Sequence, residues 1–502
     1  MTISFSSLLN QLDGIVEVRG LADPSITGVS CDSRAVKPGD IFVAVTGARE
    51  DGRKYIPQAI AAGACVVVAE GQAETGDAAV PVVQVKHSAR ALSEISNLVY
   101  GQPSSSLKVV GVTGTNGKTT VAYITHHLMR CVWHRAGLLG TVVYDDGLQS
   151  VDADRTTPGA NAVQAMLGTM LENGCRGVAM EVSSHGLEQL RVASVQFDVG
   201  IFTNLTQDHL DYHGTMDAYY RAKKRLADQM IQQHAMGGKP GVMIINTDDS
   251  YGRRLAGELE GKLRILTFGF GARCDYRVLK VETLLRGTRF ALQAKGREFL
   301  VNTPYFGRFN IYNAVAALAA ADGLGLNFRE AVKNLERAPQ VPGRMENVLE
   351  NRPFRVIVDY AHTPDALANV LATLKELKPA RLITVIGCGG DRDREKRPQM
   401  GRIACEMSDA CLFTSDNPRS EDPQTILREI EAGAQTKNYR VVVDRAEAIR
   451  LVISQAKPKD IILLAGKGHE TYQEQNGQKL PFDDRLVARW ADKERAELGG
   501  DE

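Results

Sequence analysis

Short apolar runs bounded by glycine, proline and small polar residues recur along most of the chain, and between them lie longer segments whose apolar residues return every three or four positions. An unbroken apolar run predicts a buried strand, and the wider period predicts a helix with one apolar face. Their alternation predicts parallel strands joined by helical crossovers. Strands are predicted at 41–45, 65–69 and 80–85 with a helix at 56–62, after which the polar, turn-rich Gly101-Gln102-Pro103-Ser104-Ser105-Ser106 ends a small α/β unit. A strand at 107–110 and a helix at 121–129 follow, then strands at 177–182, 197–203 and 242–246 with helices at 162–172 and 216–230. Between 267 and 301 polar and apolar residues alternate without a helix, which predicts antiparallel strands appended to that sheet, and a helix at 312–324 closes the unit. Pro339-Gln340-Val341-Pro342-Gly343 then breaks the pattern, because proline disfavours helix in the residue before it and glycine frees the backbone. Beyond it, strands at 354–359, 381–387, 410–415, 440–443 and 460–465 with helices between them have the rhythm of a doubly wound, Rossmann-like domain. The expected fold is α/β in three domains, 1–101, 102–341 and 342–502, the central one mostly parallel.

A chain of 502 residues is long enough for about three such cores. Its 60 Lys and Arg balance 60 Asp and Glu, so no global field draws it to nucleic acid or an anionic membrane, and any anionic ligand must be gripped locally. The eight cysteines are scattered, with no Cys-x-x-Cys pair and no histidine spacing suited to zinc, which fits reduced thiols in a cytosol. Residues 1–14 lack a basic start and a long apolar stretch, and no later run approaches a membrane span. A soluble cytoplasmic protein is expected.

The densest chemistry lies in Gly111-Val112-Thr113-Gly114-Thr115-Asn116-Gly117-Lys118-Thr119-Thr120, between a predicted strand and a predicted helix. Glycines let successive backbone N–H groups converge on phosphate oxygens, Lys118 can reach the outer phosphates, and the Thr119 hydroxyl can sit on magnesium at a helix N-terminus. The strict pattern wants glycine at Val112, so this is a variant. Glu181 ends a strand, where an acid can hold magnesium against phosphate or simply cap the next turn. Asp208, His209, Asp211 and His213 crowd one loop, and a histidine pair four apart is as readily structural as ligating. By composition Lys223 and Lys224 belong to a solvated basic face. Asn310 and Asn313 suit either a nucleotide base or a helix cap. In the last domain Asp359-Tyr360-Ala361-His362, Gly387-Cys388-Gly389-Gly390-Asp391-Arg392 and Asp416-Asn417-Pro418-Arg419 each end a strand and should share one crevice. Gly389-Gly390 lacks the third glycine and distal acid of a dinucleotide site. Arg392 and Arg419 suit bidentate recognition of a carboxylate or phosphate.

Taken together, Gly114-Thr115-Asn116-Gly117-Lys118-Thr119-Thr120, Glu181-Val182-Ser183-Ser184-His185, Asn204-Leu205-x-x-Asp208-His209-Leu210-Asp211, Asp359-Tyr360-Ala361-His362-x-Pro364 and Gly466-Lys467-Gly468-His469-Glu470 resemble the Mur ligases across all three domains. Within that family Asp416-Asn417-Pro418-Arg419 is similar to the signature of the members that add meso-2,6-diaminopimelate. The resemblance implies an ATP-dependent amide ligase of cytoplasmic peptidoglycan precursor synthesis. In it, the D-glutamate carboxyl of UDP-N-acetylmuramoyl-L-alanyl-D-glutamate is activated as an acyl phosphate and captured by the diaminopimelate amine. It further implies two magnesium ions, one held by Thr119 and Glu181 and one by His209 with a carbamylated Lys223, which outranks Lys224 by its place in the motif. ATP would be met by the phosphate loop, Asn310 and Arg344, with Pro342-Gly343 in a hinge. The UDP-substrate would be met by Ser33, Ala48-Arg49-Glu50, Thr156, Thr157, Ser183, Gln189 and Arg191. Diaminopimelate would be met by Arg392, Asp416, Asn417, Pro418, Arg419, Gly466 and Glu470. The loop Ala48-Arg49-Glu50 departs from the family's commoner histidine-glutamine form. A monomer is expected. The alternatives are a nucleotide switch that makes no bond to substrate, and a lysine-adding or folate-extending ligase of the same superfamily. No Asn-Lys-x-Asp motif supports a GTPase, Arg419 argues against lysine, and the Ser33 segment argues against folate.

Overall fold

The computed structural model describes residues 2–47, 50–73, 80–284, 287–349 and 351–497, so that Ala48 and Arg49 of the expected substrate loop lie outside the described residues. The chain packs into two compact units. One runs through Leu279 and adds Leu292–Phe299 and Tyr312–Leu335; the other comprises Lys280–Ala291, Leu300–Ile311 and the chain from Glu336 onward.

The first unit opens with a five-stranded sheet in the order Ile15–Arg19, Val82–Val85, Val66–Glu70, Asp40–Ala44, Gly28–Ser30, parallel except for its first strand. Asp40–Ala44 and most of Val66–Glu70 are buried because helix Ser88–Val99 and its neighbours cover one face while Ile56–Ala61 covers the other. A second sheet then forms, in the order Ser150–Asp152, Val143–Asp145, Gly137–Leu139, Gly177–Glu181, Lys108–Thr113, Val199–Phe202, Val242–Asn246, Arg264–Gly269, Tyr276–Leu284, Gly287–Ala294, Arg297–Thr303. From Gly137–Leu139 to Arg264–Gly269 every pairing is parallel. The strands read as unbroken apolar runs for that reason. The carboxyl ends of Lys108–Thr113, Gly177–Glu181 and Val199–Phe202 are adjacent, which brings the phosphate loop, Glu181 and the 203–209 segment to one edge.

One expectation is corrected here. The 267–301 stretch is not simply antiparallel, because Arg264–Gly269 and Tyr276–Leu284 pair parallel, Phe268 opposite Tyr276 and Gly269 opposite Arg277. Alternating burial reports one wetted face, and a parallel strand covered on one side shows it as readily as an antiparallel strand. The strands Gly137–Leu139, Val143–Asp145 and Ser150–Asp152 were not anticipated; at three residues each they are too short to show a period.

In the second unit a six-stranded sheet has the order Glu346–Asn347, Arg355–Asp359, Ile461–Ala465, Leu382–Ile386, Ala410–Phe413, Tyr439–Val441, parallel except for the first pairing. Helices Pro364–Glu376, Lys396–Met407 and Pro423–Glu431 pack on one face and Arg445–Ser454 with Asp484–Glu497 on the other, so the sheet is doubly wound. Ile461–Ala465 inserts between the first two crossover strands. The chain therefore reverses its winding there, and a crevice opens at the carboxyl ends.

Candidate active site

Strand Lys108–Thr113 hands over to helix Lys118–Trp133 through a loop that only glycine can make at two points. Gly114 has φ +145° and a Cβ there would run into Thr203 Oγ1; Gly117 has φ +88° and a Cβ would meet the side-chain oxygen of Asn313. The loop is laced to the segment after Val199–Phe202: Thr115 N–H donates to Asn204 O at 2.9 Å, Asn116 N–H to Asn204 Oδ1 at 2.9 Å, and Thr203 Oγ1 to Asn116 O at 2.7 Å. Lys118 Nζ donates to the carbonyls of Gly114 at 3.0 Å and Thr115 at 2.8 Å, which holds its ammonium over the loop. Gly114→Ala is expected to cut ATP-dependent phosphate release by at least about a hundredfold, because displacing this loop by even an ångström misaligns the reacting atoms. Near-normal release by the folded variant would count against a phosphate role for the loop.

Glu181 is 1 % exposed at its strand end. Its oxygens accept from Thr119 Oγ1 at 3.0 Å, Thr141 N–H at 2.7 Å and Thr141 Oγ1 at 3.1 Å, and among the described residues no lysine or arginine forms an ion pair with it. A buried carboxylate satisfied by hydroxyls and one amide, beside the loop threonine, is an all-oxygen donor set with spare lone pairs. That fits magnesium, which takes one or two protein ligands and keeps its waters. Among the described residues no group of three or more His, Cys, Asp and Glu side chains forms a preformed metal cage.

Just beyond Glu181 the residues expected to hold a UDP-substrate converge. Thr157 Oγ1 donates to Glu181 O at 2.9 Å and accepts from Ser183 N–H at 3.0 Å; Arg191 Nη1 donates to Thr157 O at 2.7 Å and Nη2 to Gln189 Oε1 at 2.6 Å; Thr156 Oγ1 lies 3.1 Å from Thr141 Oγ1. Ser33, in the loop after strand Gly28–Ser30, is buried and donates to Gln58 Oε1 at 2.9 Å. Arg155, which the motifs did not single out, lies within electrostatic reach of both Cys31 and Arg191 and so relates the two patches. Glu50 is exposed, and its carbonyl accepts from Gly47 N–H.

Residues 208–223 resolve the ambiguity left by spacing. Both ring nitrogens of His213 are engaged, Nε2 with Ser184 Oγ at 2.9 Å and Nδ1 with Glu188 Oε2 at 3.2 Å, so His213 is a structural residue. His209 has φ +53° and its Nε2 lies 3.4 Å from Asp208 Oδ2; burial holds its imidazole below the usual histidine range, so it is neutral at pH 7 and able to ligate. Helix Met216–Ala235 buries Lys223 to 1 % exposure, its Nζ donating to Gly114 O at 2.7 Å and lying 4.5 Å from the centroid of the Tyr219 ring. Burial, followed by the repulsion of Lys118, pushes its amine well below the ordinary lysine range. Lys224 instead pairs with Asp228 at 2.6 Å on the partly exposed side of the helix. Burial separates two adjacent lysines that composition cannot.

The crevice of the second unit is built from strand ends. Gly466 N–H donates to Asp359 O at 3.1 Å and Thr414 N–H to Ile386 O at 2.8 Å, so the three predicted loops share one edge, with the Gly466 loop between the first and the second. Burial pushes the Asp359 carboxyl up to about 6; its Oδ2 accepts from Met345 N–H at 2.7 Å. Gly343 has φ +66°, and a Cβ there would collide with the backbone of Gly468 and His469. Arg344 lies over the Tyr360 ring, 4.7 Å from its centroid. Lys467, absent from the expected set, is 0 % exposed: Nζ donates to Asn417 Oδ1 at 3.0 Å and Glu470 Oε2 at 3.2 Å, with Asp416 Oδ1 at 3.7 Å. One ammonium among two carboxylates leaves a net negative charge that suits an incoming ammonium. Arg419 has φ +51°, donates from Nη1 to Gly390 O at 2.6 Å and pairs through Nε with Glu474 at 3.3 Å, leaving Nη2 without a partner among the described residues. Arg392 is exposed and among the described residues donates only to Asp391 O, so the structure does not fix its guanidinium as it fixes that of Arg419. Asn310 is buried and donates to Phe306 O at 2.9 Å, while Asn313, one helical turn on, abuts the phosphate loop.

A glycine phosphate loop with a buried acid opposite its threonine is a cradle for a nucleotide phosphate and its magnesium, shared by nucleotide-hydrolysing and phosphoryl-transferring enzymes. Three family models match successive stretches: Mur ligase family, catalytic domain, at residues 25–100; Mur ligase middle domain at 112–321; and Mur ligase, glutamate ligase domain, at 343–468. The chain belongs to the Mur ligase family of ATP-dependent ligases. It is 42 % identical over 471 residues to a Solibacter usitatus protein named UDP-N-acetylmuramoyl-L-alanyl-D-glutamate--2,6-diaminopimelate ligase, covering 93 % of this chain and 94 % of that one. It is 42 % identical over 495 residues to the Geobacillus thermodenitrificans protein of the same name, covering 98 % of this chain and 100 % of the relative. A solved structure of a ligase of that name superposes with a TM-score of 0.71 at 34 % identity, over 99 % of this chain and 100 % of the other.

Proposed function

We propose that this chain joins meso-2,6-diaminopimelate to the D-glutamate side-chain carboxyl of UDP-N-acetylmuramoyl-L-alanyl-D-glutamate, as a monomeric cytoplasmic enzyme of peptidoglycan precursor synthesis. The observation that carries this reading is Arg419. Its guanidinium is anchored by Gly390 and Glu474, which leaves both N–H groups of Nη2 for a ligand, beside a buried Asp416–Lys467–Glu470 cluster of net negative charge. Such a pair of features matches a zwitterion with an additional carboxylate. No described helix is long and apolar enough to cross a membrane.

A carboxylate is a poor acyl donor. Transfer of the γ-phosphoryl group of ATP to it releases ADP and gives a mixed anhydride; the diaminopimelate nitrogen then attacks the acyl carbon, loses a proton, and inorganic phosphate departs with the bonding pair. Gly114 to Gly117 and Thr120 cradle the phosphates, and Lys118 offsets charge on the transferring oxygens. Thr119 and Glu181 would hold one magnesium and His209 with a carbamylated Lys223 the second; when bound, these ions neutralise phosphate oxygens and orient the acceptor carboxylate. Thr156, Thr157, Ser183, Gln189, Arg191 and Ser33 would hold the UDP-substrate, Asn310 and Arg344 would contact ATP, and Asn417, Pro418, Gly466 and Glu470 would hold the distal amino-acid end. The divisions 1–101, 102–341 and 342–502 are the working parts: UDP-substrate, ATP and amino acid.

Phosphate release from ATP, measured with the UDP-dipeptide, magnesium and single amino acids in turn, tests the reading. Release should require diaminopimelate; release without any amino acid points to a nucleotide switch, and release with lysine or with a folate points to the neighbouring ligases.

A further inference from the structure

The loop that faces Arg419 is pinned by one guanidinium. Arg397, near the start of helix Lys396–Met407, is 0 % exposed, and taking a guanidinium out of water is costly unless its donors are paired. Here Nη1 donates to Glu421 Oε2 at 2.9 Å and Glu429 Oε2 at 2.6 Å, and Nη2 to Glu421 Oε1 at 2.8 Å and to the Gly389 carbonyl at 3.1 Å. Glu421 in turn accepts the Asp391 N–H at 2.6 Å, and the Arg397 guanidinium holds its carboxyl down to about 2. Arg397 and Glu421 therefore grip both ends of Gly389-Gly390-Asp391.

The middle of that loop is locked onto the arginine loop. Gly390 N–H donates to Asn417 O at 2.9 Å, Gly390 O accepts from Arg419 Nη1 at 2.6 Å, and the Asp391 carboxylate accepts from Ser420 N–H at 3.1 Å and Ser420 Oγ at 2.7 Å. A Cβ on Gly389 would lie 2.9 Å from Arg419 Nη1, and one on Gly390 would strike the Pro418 carbonyl. The two loops fit at one height only. A shift of the first moves the carbonyl on which Arg419 rests.

We infer that Arg397, with Glu421, is the positioning residue for amino-acid selection: it sets the height of the Gly390 carbonyl and through it the direction of the Arg419 guanidinium. The inference rests on reading this crevice as the diaminopimelate site. A buried ion pair earns its place here by fixing register, since an apolar residue of like volume would pack as well yet leave the loop unheld.

The test is steady-state kinetics of the full-length wild type, Arg397→Lys, Arg397→Met and Glu421→Gln, each with diaminopimelate and with L-lysine, alongside thermal melts. Arg397→Met and Glu421→Gln should raise KM for diaminopimelate at least about tenfold, hold kcat at saturating diaminopimelate and KM for ATP within about threefold, and lower the preference for diaminopimelate over lysine at least about tenfold. Arg397→Lys should recover part of the preference. Unchanged selectivity in a folded variant overturns the inference, as does a loss confined to kcat. Should Arg397→Met fail to fold, Glu421→Gln decides, because it keeps shape and weakens only the charged grip. Wild-type enzyme that ignores diaminopimelate removes the functional reading instead, and does so before any variant is compared.

Discussion

Lys223→Ala is expected to lower ligase turnover by on the order of a thousandfold, with partial recovery on adding formate or bicarbonate and little change in substrate KM values. The reason lies in where helix Met216–Ala235 puts this amine. It is buried against the Gly114 carbonyl and the Tyr219 ring, with its pKa pushed well below the ordinary lysine range. A protonated ammonium at that point would repel Lys118 and any metal beside the phosphates. A neutral amine can instead add carbon dioxide, forming an N–C bond and losing a proton, which turns a repelling group into an anionic oxygen ligand. Truncation also leaves a cavity, so thermal melts must accompany the rate measurements. Recovery by a small carboxylate separates the two effects, since formate restores an oxygen donor and does not rebuild the packing. A variant with wild-type turnover would remove the claim.

The second large effect concerns selectivity. Wild-type enzyme should prefer diaminopimelate over L-lysine by on the order of a thousandfold in kcat/KM, and Arg419→Ala should reduce that preference to about tenfold or less, chiefly by losing diaminopimelate. Arg419 Nη1 and Nε are already committed to Gly390 and Glu474. The remaining Nη2 donors are oriented before substrate arrives, so a carboxylate gains a charge-assisted pair and lysine leaves it unmade. Comparable wild-type turnover of lysine would sink the specificity reading and leave the ligase reading standing.

Some of the site was visible in order along the chain. The phosphate loop is a contiguous motif whose glycines are dictated by local backbone geometry, and Glu181, Asp359 and Asp416 each follow an apolar run, which places them at strand ends. The convergence of Thr157, Ser183, Gln189 and Arg191 was carried by family resemblance, and hydrogen bonds now link them. Arg397 and Arg155 carried no signal of this kind, and Lys467 lay inside a motif without a role assigned to it. Arg397 in a charged helix and Lys467 in a glycine turn look solvated until the elements that enclose them are in place, and Arg155 stays exposed in the folded chain.

The sequence by itself determined the α/β alternation and the glycine loop between strand Lys108–Thr113 and helix Lys118–Trp133, because periodicity, proline and glycine act over a few residues. Tertiary structure decided what depends on partners far away in the chain: that Lys223 and not Lys224 is buried, that His213 is held at both nitrogens while His209 is not, that Tyr276–Leu284 joins its neighbour in parallel, and that Arg419 is anchored while Arg392 lies exposed. Desolvation and charge pairing act through space, and only the folded chain sets which groups are near enough to feel them.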